Sequence, residues 1–244
     1  MRLAEPVVSC PVCGCSVIID SEDVWLDKLN LAMHFDRCNR CDAMYLNPRM
    51  TEKESREFYM REYREVVGLI TDYNETMDAE RQRRRAKVIR SLIGDHPIKA
   101  HLDIGTSRGE LLKAVGAVGR FGLEWNMEDA ELCWREGSQI YREFSDLPVM
   151  KFDLITAIQV LEHVNDPQNF LREAKGRLSE NGRMWIEVPN ADHFHAHQPW
   201  HVVEYNEGAL KTLLTKMGFT IQQLYAYNGY LNTNTLNYLV AEVS

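Results

Sequence analysis

The stretch that decides the fold reads His101-Leu-Asp-Ile-Gly-Thr-Ser-Arg-Gly-Glu-Leu-Leu112. An apolar strand ends in Asp103, a turn carries Gly105 and Gly109, and a helical pattern opens behind it. Glycines in such a turn adopt backbone angles barred to other residues, so a ligand can approach the main chain closely. The ligand then meets a helix N-terminus in the crevice at the carboxyl ends of the strands. A dinucleotide site would read G-x-G-x-x-G. This turn reads D-x-G-x-S-x-G, with an acid two residues before the first glycine. That acid suits a ligand carrying positive charge and no phosphate, and S-adenosylmethionine (SAM) has an ammonium and a sulfonium. A turn of purely structural use in another doubly wound protein would carry similar glycines, so the neighbouring segments must decide.

Outward from the turn, short apolar strands are expected at Ala100–Ile104, Arg120–Glu124, Gln139–Tyr141, Phe152–Ile158 and Arg183–Val188. Helical patterns at Gly109–Val115, Met127–Glu136 and Pro167–Leu178 alternate with them, and Glu207–Met217 is a further helix. This alternation predicts an α/β fold with a mostly parallel sheet covered by helices on both faces. Two more strands, near Phe219–Tyr227 and Leu236–Val243, have no helix between them and can pair as an antiparallel hairpin. The second strand ends in Glu124, where a carboxylate can accept hydrogen bonds from both hydroxyls of a ribose. Ser145-Asp-Leu-Pro148 precedes the fourth strand, so Asp146 can accept from an adenine amine while Leu147 packs on the ring.

The fourth strand continues into Gln159-Val-Leu-Glu-His-Val-Asn-Asp-Pro167. With this segment the chain resembles the class I SAM-dependent methyltransferases, in the branch with an LEHVxDP segment after strand four. The resemblance spans about residues 97–244 and rests on the Asp103–Gly109 turn, Glu124, Asp146-Leu147, Phe152-Asp153, Leu161-Glu162-His163 and Gly218-Phe219. It implies a Rossmann-like sheet of seven strands with the seventh antiparallel. It also implies that Asp103, Gly105, Ser107 and Gly109 line the methionine part of SAM. Glu124 would hold the ribose, Asp146 and Leu147 the adenine, and Gln159 would stand at the methionine end. Ser107 replaces the family's middle glycine, and its side chain narrows the loop.

Upstream lie Cys10-Pro-Val-Cys13 and Cys38-Asn-Arg-Cys41, with 24 residues between the pairs. Two C-x₂-C knuckles are the expected source of one tetrahedral zinc site, although the linker exceeds the common 15–20 residues. Four thiolates leave no open position, so such a zinc is structural. Cys15 is a spare that can compete for the metal, and the helical Cys133 reads as a buried apolar residue. Residues 1–50 otherwise read as loop-rich. Thr51 and Glu54 form a capping box ahead of a helix over residues 51–65, and a second helix runs from Asn74 to Ile93. Cys38 to Tyr63, with Tyr45-Leu-Asn-Pro-Arg49 and then Phe58-Tyr59, resembles a subgroup in which a zinc ribbon precedes the catalytic domain. That likeness implies a role in building sugars, glycans or secondary metabolites, and a cap over the cofactor that brings Tyr59 or Tyr63 to it. The expected division is a zinc-binding module at 1–50, a helical cap at 51–96 and the SAM domain at 97–244.

Four of the eight histidines, at 193, 195, 197 and 201, follow the fifth strand. In the family this insertion overlies the acceptor pocket. Removing a proton from an acceptor needs a base, and histidine titrates near neutral pH. His201, followed by Glu204 and Tyr205, fits best as that base, with His163 as the second candidate. His193, His195 and His197 alternate along the chain and offer a further metal site as a second reading.

The 244-residue chain suits one medium domain plus an appendage, and its 45 % hydrophobic residues supply an ordinary core. A formal charge of −8 disfavours wrapping a nucleic-acid backbone. The basic run Arg81 to Arg90 reads as a solvated helix face, with Val88, Ile89, Leu92 and Ile93 turned inward. The absence of an apolar run of about 18 residues predicts no membrane span, and the start lacks the stretch of a signal peptide. A cytoplasmic location and a small hydroxylated acceptor, a sugar, nucleotide-sugar or glycan precursor, are expected. A zinc-containing RNA methyltransferase or nucleic-acid binder is the alternative. The oligomeric state is open.

Overall fold

The computed structural model describes residues 2–70, 75–94, 98–193, 197–227 and 238–244. The chain adopts the expected α/β architecture. Seven strands form one sheet in the order β10-β11-β8-β7-β4-β5-β6. They are β4 (Ala100–Ile104), β5 (Gly119–Leu123), β6 (Gln139–Tyr141), β7 (Phe152–Ile158), β8 (Leu178–Pro189), β10 (Ile221–Tyr227) and β11 (Tyr238–Val243). β4 pairs in parallel with both β5 and β7, and β5 with β6. Every residue of β4 and β11 is buried, the polar His101, Asp103 and Glu242 included, as in strands covered on both faces. The last two strands pair antiparallel, as their direct succession suggested.

The connecting helices are α4 (Glu110–Val115), α5 (Met127–Arg135), α6 (Pro167–Arg177) and α7 (Glu207–Lys216). Asn126 caps α5 by accepting from the amides of Glu128 and Asp129, and Asn206 caps α7 through the amide of Ala209. Thr51 and Glu54 form their capping box at 2.9 and 3.2 Å and open α1 (Glu52–Arg61), which is followed by α2 (Tyr63–Ile70). In α3 (Glu75–Ile93) the inward residues are Ala86 and Ile89, one turn apart, whereas Val88 is 42 % exposed. The expected inward place of Val88 is therefore corrected. Residues 86 and 89 lie on one helix face, and 88 falls off it. Among the described residues no helix is long and apolar enough to cross a membrane.

The loop-rich reading of residues 1–50 also changes. A second, four-stranded sheet has the order β1-β2-β3-β9. Its strands are β1 (Ile18–Leu26), β2 (Leu31–Cys38), β3 (Met44–Leu46) and β9 (Val203–Glu204). β1 and β2 form a long hairpin whose turn places Asn30 at φ 50°. Met33, Phe35 and Leu46 pack as its core. Met44 pairs with Glu204 and Tyr45 with Val203, so the strand that follows His201 completes the sheet begun at the cysteine knuckles.

The chain clusters into two compact units. One comprises Met1–Phe58, Gln159–Arg172 and Ile186–Val243; the other comprises Tyr59–Ile158, Glu173–Trp185 and Ser244.

Candidate active site

The expected cofactor residues lie at the carboxyl ends of β4, β5 and β6. Asp103 ends β4 buried, and its Oδ1 accepts from Thr156 Oγ1 at 2.5 Å. The same threonine oxygen meets His101 Nε2 at 2.8 Å, so the carboxylate is held from behind by a buried chain of polar groups. Gly105 and Gly109 both have positive φ, at 69° and 74°. A Cβ on Gly109 would stand 2.9 Å from Cys133 Sγ, so this glycine is required by backbone angle and by space. Ser107 has φ 47°, a left-handed conformation that costs a non-glycine residue free energy. Its amide donates to Glu124 Oε2 at 2.8 Å, and its carbonyl accepts from the Cys133 thiol at 3.2 Å.

Glu124 also accepts from the Asn126 amide at 2.7 Å. A carboxylate has about four acceptor positions, so capacity remains for a ribose hydroxyl. Burial pushes its carboxyl above the usual range against the backbone hydrogen bonds from Asn126, Ser107 and Trp125. Trp125, the next residue, belongs to an aromatic row with Tyr59 and Tyr63, at centroid distances of 6.0 and 4.8 Å along it. Tyr63 is linked through Tyr59 to Trp125, the neighbour of Glu124, a row that sequence reasoning missed. A strand-terminal acid followed by tryptophan was its one legible signal. Asp146 lies on an exposed turn with Oδ2 accepting from the Glu143 amide at 3.2 Å, and Leu147 behind it is buried. Arg177 fixes this turn through the carbonyls of Phe144 and Pro148.

Gln159, directly after β7, has φ 54°. Its side-chain amide donates to Glu187 Oε1 at 3.3 Å, and Tyr227 donates to Glu187 Oε2 at 2.6 Å. Glu187 and Tyr227 were not foreseen, because Glu187 lies within an apolar strand and Tyr227 at the end of another. A turn at Leu161–His163 then brings Glu162 and His163 against His201. The rings of His163 and His201 are 4.9 Å apart. Burial holds His163 near pKa 4 and His201 well below its ordinary value, so both are neutral at pH 7. Burial drives Glu162 the other way, well above the carboxylate range. Tyr205 is buried in the same cavity. Glu204 lines it too, but its carboxylate pairs with His197 Nδ1 at 2.7 Å rather than with His201. That hydrogen bond, with Glu22 at 3.4 Å from Nε2, raises the pKa of His197. His193 is exposed, and His195 lies outside the described residues, as does the site it would complete.

A family model described as a methyltransferase domain matches residues 73–224. This chain belongs to that methyltransferase family. No curated protein sequence matches it significantly. Among solved structures, the 1,6-didemethyltoxoflavin-N1-methyltransferase of Burkholderia thailandensis, with its substrate and S-adenosylhomocysteine bound, is 19 % identical. That match covers 91 % of this chain and 98 % of that one at a TM-score of 0.63. A SAM-dependent methyltransferase of Leishmania major is 17 % identical over 79 % of this chain and 82 % of that one, with a TM-score of 0.62. The magnesium protoporphyrin IX methyltransferase of Synechocystis, with bound SAM, is 13 % identical over 77 % and 93 %, with a TM-score of 0.55. These likenesses concern the fold. Family and fold together make the chain a SAM-dependent methyltransferase.

In this methyltransferase burial pushes Asp103 up to about 7, partly offset by the Thr156 hydrogen bond. An ammonium is bound by the carboxylate and not by the neutral acid. Affinity for S-adenosylhomocysteine should therefore fall as pH drops through 7, by about tenfold between pH 8 and pH 6. Calorimetry across that range tests this, and Asp103→Asn should flatten the curve. A flat wild-type profile would remove Asp103 from the ammonium's surroundings.

The four knuckle cysteines are buried free thiols, and their sulfurs lie within 4.8 Å of one another. Cys10 and Cys41 sulfurs are 3.6 Å apart, and those of Cys13 and Cys38 are 3.5 Å apart. Around a zinc with Zn–S of about 2.3 Å, tetrahedral sulfurs stand roughly 3.8 Å apart, so the set fits that metal. Both knuckles share one backbone form: the Gly14 amide bonds the Cys10 carbonyl at 2.8 Å, and the Asp42 amide bonds the Cys38 carbonyl at 3.0 Å. Gly14 and Asp42 each take positive φ to allow it. The Cys41 hydrogen bond draws Cys10 down to about 5, while burial pushes Cys38 up to about 11. Cys15 bonds Val17 and stands outside the cluster. The knuckles are braced from later in the chain, by Gln168 on the Pro11 carbonyl, Lys216 on the Cys13 carbonyl and Asn206 on Asp42.

Proposed function

We propose that this methyltransferase moves the methyl group of SAM to a hydroxyl or acidic carbon of a small hydroxylated metabolite, a sugar, nucleotide-sugar or glycan precursor. The observation that carries the reading is the buried His201, held neutral by its surroundings beside His163, in a cavity that it lines with Glu162, Glu204 and Tyr205. Residues Asp103, Gly105, Ser107, Gly109 and Gln159 take the methionine part of SAM, Glu124 the ribose, Asp146 and Leu147 the adenine, and Tyr63 packs on the cofactor. When bound, SAM supplies a methyl carbon already activated on a sulfonium. The chain's own residues then align the acceptor and remove its proton at His201. His163 is the alternative base, Tyr205 positions the acceptor, and Glu204 acts indirectly by fixing His197.

The four cysteines hold one structural zinc in a zinc-ribbon-like module. The proposed division is that module at 1–50, a helical cap at 51–96 and the catalytic domain at 97–244. A formal charge of −8 speaks against an RNA acceptor. Location in the cytoplasm belongs to the same proposal. The direct test is transfer of labelled methyl from SAM to a panel of sugars and nucleotide-sugars beside a tRNA control; labelling of the tRNA alone would overturn it. Glu124→Ala should weaken S-adenosylhomocysteine binding by roughly 1.5–3 kcal/mol through lost charge-assisted hydrogen bonds. Equal affinities by calorimetry would sink the ribose assignment.

A further inference from the structure

Glu162 is 1 % exposed, and neither of its carboxylate oxygens has a hydrogen-bond partner. A buried ionised carboxylate without a partner is unfavourable by several kcal/mol. A group left in that condition needs a proton or a cation. Two imidazoles stand beside it. Glu162, His163 and His201 each offer one ligating atom, and the three atoms lie within 4.8 Å of one another. His163 Nδ1 is hydrogen-bonded to the Trp200 carbonyl at 2.8 Å, which makes Nδ1 a donor and fixes the ring. Nε2 stands 3.7 Å from Glu162 Oε1. A metal-ligating histidine commonly donates its other ring N–H to a backbone carbonyl in this way. The adjoining cavity, bounded by Glu162, His201, Glu204 and Tyr205, has about 10 Å³ of free space. That is room for one water-sized species. The Tyr205 hydroxyl is buried there without a hydrogen-bond partner.

We infer that Glu162, His163 and His201 bind one divalent transition-metal ion, separate from the metal of the four cysteines. Two imidazoles and one carboxylate suit manganese, iron(II) or zinc and leave coordination positions open. Ligand atoms around such an ion, at about 2.0–2.2 Å from it, stand roughly 3–4 Å apart, so a small side-chain rotation closes the 4.8 Å span. The ion's use rests on the proposed acceptor reading. An acceptor hydroxyl on the ion releases its proton to solvent more readily. Its oxygen then bonds the methyl carbon as the carbon–sulfur bond of SAM breaks, and the ion is unchanged. His201 then serves the deprotonation by holding the ion.

Manganese(II) is the probe, because thiolates prefer zinc while carboxylate and imidazole accept manganese. The full chain, with its zinc content measured, is titrated with manganese and followed by electron paramagnetic resonance. One site per chain is expected in the wild type. Glu162→Gln and His201→Gln should each weaken it at least tenfold, with zinc content and S-adenosylhomocysteine affinity kept as proof of folding. A wild type that takes no manganese, cobalt or second zinc at millimolar concentration overturns the inference. So do folded variants that bind manganese as the wild type does. If the variants fail to fold, the wild-type titration decides. A chain that takes the ion but methylates equally without it keeps the metal site and loses the ion's part in deprotonation. A chain that takes none but needs His201 for turnover loses the metal site and keeps that reading.

Discussion

Replacing His201 with alanine should lower kcat by about 10² or more while affinity for S-adenosylhomocysteine stays nearly unchanged. A positioned group that removes a proton in the transition state contributes about 10²–10⁴-fold, and losing it lowers kcat without weakening cofactor binding. The surroundings of His201 sharpen the expectation. Its ring lies against His163, burial holds its pKa well below the ordinary value, and the nearby His163 and His197 add to that shift. The neutral form is the one that accepts a proton or holds a cation. Because the folded pKa is depressed, that form persists as pH falls through 6.5 and is lost only further down. The acid limb of the rate profile should therefore lie below neutrality, not near it as an unperturbed histidine would give. Single-turnover rates of wild type and His201→Ala, from pH 5 to 8 with the acceptor identified, check both statements. Near-full turnover in the variant would move the role to His163, and His163→Ala is then the next measurement.

How much of this was legible in sequence differs between the two sites. The cofactor turn was plain because its requirements are local: Asp103, Gly105 and Gly109 lie within seven residues, and their positive φ values follow from glycine chemistry. The strands around it were plain for the same reason, being short apolar runs bounded by turn signals. The hairpin β1–β2 was not. Ile18–Leu26 is mostly exposed and carries three acids, so it lacks the alternation of a half-buried strand. Its order comes from pairing with β2 over nearly its whole length, which is tertiary information. The same limit hid the partner of Glu204. His201 is the nearer of the two in sequence, three residues away against seven, yet the placement of β9 beside β3 turns the carboxylate toward His197. Glu162 was read as part of a family segment. That its two oxygens end up buried and unpartnered follows from the chain around it, with the Val202 amide on its carbonyl at 2.8 Å.

The largest stability effect should come from the cysteine centre. Cys38→Ser or removal of zinc by a chelator should unfold the β1-β2-β3-β9 sheet and abolish turnover. β2 ends at Cys38 and β3 begins at Met44, with only the knuckle between them. Because such a thiolate site does not exist in the unfolded chain, the metal's binding free energy is folding free energy, about 10–16 kcal/mol in structural zinc peptides. That is comparable to the whole stability of an ordinary domain, about 5–15 kcal/mol. The damage should spread to the acceptor side, because β9 is carried on β3 and lies two residues after His201, while Lys216 and Gln168 hang on the knuckle carbonyls. Asp103, Glu124 and Asp146 belong to the other compact unit, so S-adenosylhomocysteine binding should outlast turnover. Elemental analysis of protein purified without added metal should give one zinc per chain from this centre. Limited proteolysis of the Cys38→Ser chain should cut within residues 1–50 while calorimetry still registers the cofactor product. Wild-type protein free of zinc, a Cys10–Cys13 disulfide in reducing buffer, or a variant that melts with the wild type would each refute the structural-zinc assignment.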